Sequence, residues 1–176
     1  NAKPIIVIKS GKTAAGAGAS ASHTGALAGN DIAYNSLFSQ TGVIRAESVL
    51  EIFEYLRVFC ANPKAKGKNI GLITNAGGPG VIATDEAIGF GLKLAKLSAG
   101  SIKTLKAGLP PFANIHNPVD VLGDAKADRY ELALRTLAQD KNVDVIGLIL
   151  TPQAMTEIKE TAEKIVAIRK ETDKPI

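Results

Sequence analysis

The chain has 176 residues, 45% of them apolar, enough to bury one or two compact cores. Aromatics make up only 5% and Trp is absent, a balance rich in Ala, Ile, Leu, Val and Gly that suits layered α/β packing. The net charge of +4 comes from Lys spread along the chain, with no basic block and little aromatic interleaving, which argues against nucleic-acid binding.

Residues Lys3–Lys9 (KPIIVIK) are a continuous apolar run bounded by Gly11, and a buried parallel strand is expected over 4–9. Residues 10–25 are almost all small and are expected to form a loop. A helix from about Ala26 to Gln40 follows, then a short strand at Val43–Arg45. A second helix is expected from about Ser48 to Ala61, with Ser48 as N-cap and Glu51 completing a capping box. Cys60 falls at the apolar end of that helix, where a buried thiol is expected. As the single cysteine it excludes an internal disulfide framework and fits a reducing compartment. Asn62–Lys68 (NPKAKGK) is polar, contains breakers and reads as a linker.

From residue 69 the pattern alternates. Strands are expected at Asn69–Thr74, Leu92–Lys96 and Val143–Leu150, and helices at Val81–Phe90, Ser98–Ala107, Lys126–Gln139 and Met155–Glu171. A loop with Pro110-Pro111 and Asn117-Pro118 interrupts them. Strands alternating with helices of this length imply right-handed βαβ units and parallel sheets. Flavodoxin-like winding fits better than a barrel, for which the units are too few. The expected organisation is an incomplete domain over 1–61, a linker over 62–68, and a second flavodoxin-like domain over 69–176. A parallel strand needs partners, yet nothing precedes the strand at 4–9. Asp173-Lys174-Pro175-Ile176 repeats the pattern of Ala2-Lys3-Pro4-Ile5 and stops, so the chain is expected to be an excerpt of a larger polypeptide. No apolar run approaches a membrane span and no signal-peptide pattern opens the chain, so a cytoplasmic protein without membrane contact is expected.

Ligands of such sheets gather where loops leave the carboxyl ends of strands. Three loops at that edge carry informative residues. In the first, His23 stands among Ala, Ser and Gly, neighbours too small to bury it, and a helix is expected to begin near Thr24 or Gly25. The second, Asn75-Ala76-Gly77-Gly78-Pro79-Gly80, has the composition of an anion cradle, since glycines admit close backbone approach and a helix N-terminus adds about half a unit of positive charge. A tight strand-to-helix turn explains the same residues. The spacing does not match a dinucleotide or P-loop fingerprint. The third loop is Thr151-Pro152-Gln153.

His23 lacks the company that metal binding requires, because His116 is the only other histidine and no carboxylate or thiol stands at ligand spacing. No G-x-S-x-G supports a hydrolase triad. A structural residue and a phosphoryl acceptor remain, the second because a neutral imidazole nitrogen can attack phosphorus while helix N–H groups stabilise the charge. His116 reads as a solvated or hydrogen-bonded loop residue rather than a catalytic one, and Asn117 and Asp120 as turn formers, with ligand contact the alternative for both. Lys9 and Lys12 read either as surface residues or as neutralisers of phosphate near His23.

Several runs together resemble the NDP-forming acyl-CoA synthetases, the ADP-forming relatives of succinyl-CoA synthetase. They are Lys3–Gly11, Ser22-His23-Thr24-Gly25-Ala26-Leu27-Ala28-Gly29, Gln40–Arg45, Ile73–Gly80, Asn117-Pro118-Val119-Asp120 and Leu150-Thr151-Pro152-Gln153-Ala154. The resemblance runs in order over essentially the whole chain. It implies an acid–thiol ligase in which acyl-CoA, ADP and phosphate give acid, CoA and ATP. It implies that His23 is the phosphohistidine, and that phosphate or substrate is held by Thr24, Gly25, Asn75, Ala76, Gly77, Gly78, Gly80, Thr151 and Gln153. It further implies a CoA-binding domain and an ATP-grasp module as partners, fused or as separate subunits. The nucleotide with Mg2+ would bind outside this chain, and no cofactor would be held permanently. A catalytically silent regulatory domain that senses acyl-CoA or phosphate is the alternative, against which the presence of His23 argues.

Overall fold

The computed structural model describes residues 3–25, 29–61 and 64–176. The helix start expected at Ala26 and the Asn62-Pro63 opening of the expected linker lie outside those residues. The chain divides into two units, Asn1–Ala61 and Asn62–Ile176.

In the first unit β1 (Ile6–Ile8) leads into α1 (Ala14–Thr24), α2 (Asp31–Thr41), β2 (Ile44–Ala46) and α3 (Val49–Ala61). The two strands pair in parallel, Ile6 opposite Ile44 and Ile8 opposite Ala46. The loop expected over 10–25 is instead largely the helix α1. Alanine is the strongest helix former, and it outweighs the two interior glycines, Gly16 and Gly18. Both ends are capped: the Thr13 hydroxyl accepts from the Gly16 N–H at 3.1 Å, and Gly25 turns the chain at φ 67° while donating to the Ala21 carbonyl. Ser48 caps α3 as expected, its Oγ accepting from the Glu51 N–H at 3.2 Å. The Glu51 carboxylate reaches back to the N–H of Glu47, one residue earlier than a regular capping box would place it. Cys60 is exposed, which corrects the expectation of a buried thiol. On α3 only Glu51, Ile52 and Tyr55 are even half-buried, so the face it turns inward does not extend to its last turn.

The second unit runs β3 (Asn69–Thr74), α4 (Gly77–Gly89), β4 (Lys93–Leu94), α5 (Ala99–Gly108), β5 (Val119–Asp120), α6 (Ala127–Gln139), β6 (Val145–Ile149) and α7 (Ile158–Arg169). Every strand pairing is parallel, and β3 is the hub. One edge of β3 carries β6 over five rungs, from Ile70–Val145 to Thr74–Ile149. The other edge is shared end to end. There β4 covers Asn69 and Ile70 while β5, a two-residue strand too short to show periodicity, covers Ile73 and Thr74. Neither reaches the middle of that edge.

Asn117 fills the gap. Its Oδ1 accepts from the Leu72 N–H at 2.9 Å, and its Nδ2 donates to the Ile70 carbonyl at 2.8 Å and the Ala95 carbonyl at 3.0 Å. One amide side chain thus substitutes for a strand residue. Beneath the sheet, α6 turns in Tyr130, Ala133, Leu134 and Leu137, spaced three and four apart as a helix face requires. They join Ile73, Leu105, Val119, Val121, Ile146 and Ile168 in the main core. Asn117→Ala would take from the buried Leu72 N–H and from the Ala95 carbonyl the partner they have here, while the Ile70 carbonyl keeps the Ala95 N–H at 2.9 Å, and should destabilise the second unit by about 2 kcal/mol. A urea unfolding midpoint unchanged by that substitution would show that Asn117 does not complete the ladder.

Candidate functional site

The carboxyl edge of the second sheet is built by three segments leaving β3, β5 and β6. Asn75, the first residue after β3, is 2% exposed and reaches across to the segment after β6. Its Nδ2 donates to the Thr151 carbonyl and its Oδ1 accepts from the Thr151 N–H, both at 2.8 Å. The segment after β5 joins through Gly123, where a Cβ would stand 2.9 Å from Nε2 of Gln153. Only a residue without a side chain lets the Gln153 amide lie so close. Asp120 Oδ1 accepts from the N–H of Leu122, which takes a left-handed φ of 72°, rare for a branched residue. Arg129 fastens this segment further, donating to the Val121 carbonyl at 3.2 Å and to Asp124 at 2.7 Å. The Arg129 hydrogen bond holds the Asp124 carboxyl below its ordinary range.

The glycine segment differs from expectation in detail. The helix α4 begins at Gly77 rather than Val81, so the glycines form its first turn. No side chain caps this end. The Ala76 N–H is taken by the Thr74 hydroxyl at 3.0 Å, and the Gly80 N–H by the Ala76 carbonyl at 3.1 Å. Pro79 has no N–H to offer. The donors left to an anion are therefore Gly77 and Gly78, both exposed, ahead of the first intrahelical acceptor. Gly80 is buried instead, and a Cβ there would meet Thr74 Cγ2 at 3.0 Å. Ala76, Gly80 and Asn75, expected as ligand contacts, are thus engaged within the protein. Asn75 and the Thr151 backbone hold the two loops together; Gln153 remains exposed.

His23 lies in the first unit. It sits in the last turn of α1, exposed, two residues before the left-handed Gly25. The expectation that a helix N-terminus follows it at once is corrected: α1 ends there, and α2 begins at Asp31 with Asn30 as N-cap. The ring is open to a bulky partner, and among the described residues the backbone that carries it is the carbonyl end of a helix. The side chain of Thr24 lies outside the described residues. Gly25 serves as the helix stop.

Lys9 and Lys12 are not loose cations. Lys12 pairs with Glu47. The Lys9 side chain is only 11% exposed and lies within 3.6 Å of Asp31. Arg45, whose position in the family-like run carried no recognisable chemical signal, holds Asp31 from the other side at 2.9 Å and keeps its carboxyl below the usual range. His116 is exposed in its loop, its N–H donating to Asn114. A cavity of ≈ 460 Å3 lined by Ser98, Ser101, Asp140 and Asn142 opens between the N-terminus of α5 and the C-terminal end of α6. Asp140 is spent there on the N–H groups of Ser98 and Asn142. Among the described residues no three His, Cys, Asp or Glu side chains gather to hold a metal ion, and no helix is long and apolar enough to cross a membrane.

Comparison with known proteins bears on both units. The family model of the succinyl-CoA ligase like flavodoxin domain matches residues 1–59, and that of the Ligase-CoA domain matches residues 70–176. The chain is 45% identical to an ADP-forming acetate–CoA ligase of Archaeoglobus fulgidus over 93% of its own length and 24% of that protein's. It is 41% identical to an alpha subunit of the Pyrococcus furiosus ADP-forming acetate–CoA ligase, covering 99% of this chain and 39% of the subunit. The structure of a Korarchaeum cryptofilum acetyl-coenzyme A synthetase in complex with phosphate and ADP superposes with a TM-score of 0.87 at 38% identity, over 98% of this chain and 38% of that one. The chain thus spans between a quarter and two fifths of the length of these relatives. The parallel α/β architecture expected from the sequence is that of these proteins.

Asn75→Ala should strip both partners from the Thr151 backbone at a cost of about 2 kcal/mol. Hydrogen exchange at the Thr151 amide should then accelerate; exchange at the wild-type rate would contradict the clamp between the two loops.

Proposed function

We propose, since this chain belongs to the Ligase-CoA family, that it is the histidine-bearing part of an ADP-forming acyl-CoA synthetase, acetyl-CoA being the first substrate to test. In the net reaction acyl-CoA, ADP and phosphate give a carboxylic acid, CoA and ATP. The observation that carries this reading is the uncapped first turn of α4, with the Gly77 and Gly78 amides exposed at the carboxyl edge of a sheet in a Ligase-CoA domain. Such a turn favours a bound phosphate.

The chemistry then follows in three steps. A phosphate oxygen attacks the thioester carbonyl, the C–S bond breaks with CoA leaving as the thiolate, and an acyl phosphate remains. An imidazole nitrogen of His23 attacks phosphorus with its lone pair as the bond from phosphorus to the acyl oxygen breaks, releasing the carboxylate. The terminal oxygen of ADP then takes the phosphoryl group and frees the imidazole. Gly77 and Gly78 would offset charge on phosphate oxygens during transfer, as helix-end amides do. Asn75 would act through Thr151, fixing the distance between that turn and the Gln153 loop. Exposure suits His23 to this role, because a carrier must present its ring first to a phosphoryl donor and then to an acceptor.

Two further parts complete the reaction, a CoA-binding domain and an ATP-grasp module that binds the nucleotide with Mg2+, as domains of one chain or as subunits of a cytoplasmic assembly. In the intact enzyme, His23→Asn should abolish ATP formation from acetyl-CoA, ADP and phosphate while acetyl-CoA still binds. ATP synthesis at the wild-type rate in that variant would refute the assignment, and loss of acetyl-CoA binding would turn His23 into a structural residue.

A further inference from the structure

Lys9 closes the segment that carries His23 at its base. It is the first residue after β1. Its ammonium donates to the Gly11 carbonyl at 3.2 Å, just before α1, and to the Gly29 carbonyl at 3.0 Å, just before the N-cap of α2. The same nitrogen lies 3.6 Å from Asp31 Oδ1 and 5.2 Å from the centre of the Tyr34 ring. Gly29 is held between the two, since a Cβ there would come within 2.8 Å of Tyr34 Cε2. Asp31 is itself gripped by Arg45 of β2 through both carboxylate oxygens, at 3.1 and 2.9 Å.

The helix between these points packs lightly, with Gly16, Ala17, Ser20 and Ala21 half-buried among its described residues. Among its described side chains none is buried, and the residues are Ala, Gly, Ser and His. An isolated helix of this length is marginal in water. Its direction therefore depends on where its base is tied. An ammonium with two carbonyls, a carboxylate and an aromatic face around it has no donor to spare for phosphate, so Lys9 does not act as an anion ligand.

We propose that Lys9 is the positioning residue of the His23 helix, a clasp that joins the chain before α1 to the chain before α2 and so aims the imidazole. The inference rests on the reading of His23 as a phosphoryl carrier, and its test separates the two. In the intact enzyme, Lys9→Met should slow single-turnover labelling of His23 from acetyl-CoA and labelled phosphate by about 10²-fold, the scale of a misplacement near 1 Å. KM for acetyl-CoA should hold steady, and Lys9→Arg, which keeps the charge and several donors, should restore most of the rate. Amides of residues 12–24 should exchange faster in Lys9→Met while those of β1 and β2 keep their protection. Labelling at the wild-type rate overturns the clasp, as does unchanged exchange over 12–24. If wild-type His23 takes no label, the carrier reading fails, and the exchange comparison alone decides the clasp. Should Lys9→Met not fold, Lys9→Gln, uncharged and shorter but still a donor, carries the same comparison under the same criteria.

Discussion

From Ile70 to Asn75 the chain is buried at every residue, so each backbone N–H and C=O along it must find a partner other than water. On one edge of this strand, β6 supplies them in regular register. On the other, two fragments of strand leave a gap that the Asn117 side chain closes. Where the strand ends, Asn75 does the same for the chain leaving β6. Satisfying one buried strand thereby decides where three loops emerge, and the loops make the carboxyl edge. Two asparagines of the family-like motifs serve the backbone first, and the amide groups left for an anion are those of Gly77 and Gly78.

The two units treat their functional groups in opposite ways. In the second, an enclosed strand and its amide stitches fix the α4 turn, and preorganised donors suit a group that must stabilise charge without moving. In the first, the imidazole stands on an exposed helix of small residues, with charged and aromatic contacts gathered at the base of the segment rather than beside the ring. Charge density is high where Lys9, Asp31, Arg45 and Glu47 meet. The chain neighbours of His23 from Ala19 to Gly29 carry no charge. A phosphoryl carrier needs a ring that can be reached, and His23 is exposed among small neighbours.

Long apolar runs were legible in the sequence. NIGLIT and the run at Val145–Ile149 are strands, and the periodic helices α6 and α7 lie within the ranges expected. The helix α1 was not legible, because a run of Ala, Gly and Ser has no apolar face to betray its period. Nor was β5, whose two residues become a strand only by lying beside Ile73 and Thr74. The candidate site was legible as a set of positions but not as a set of roles. Asn75 looks like a ligand in sequence, and its partner lies 76 residues away, chosen by strand register. Lys9 looks like a surface cation for the same reason, since Gly29 and Asp31 come to it only after the chain has turned through α1.

The central claim is that the exposed imidazole of this chain accepts phosphorus from an acyl phosphate. The most direct measurement is mass-spectrometric mapping of the intact enzyme after acetyl-CoA and phosphate are supplied without nucleotide, with peptides kept at alkaline pH to preserve a phosphoramidate. The account predicts a single phosphoryl adduct on the peptide containing His23, lost on mild acid treatment and discharged when ADP is added. An unmodified peptide, or an acid-stable adduct on a neighbouring serine or threonine, would contradict it.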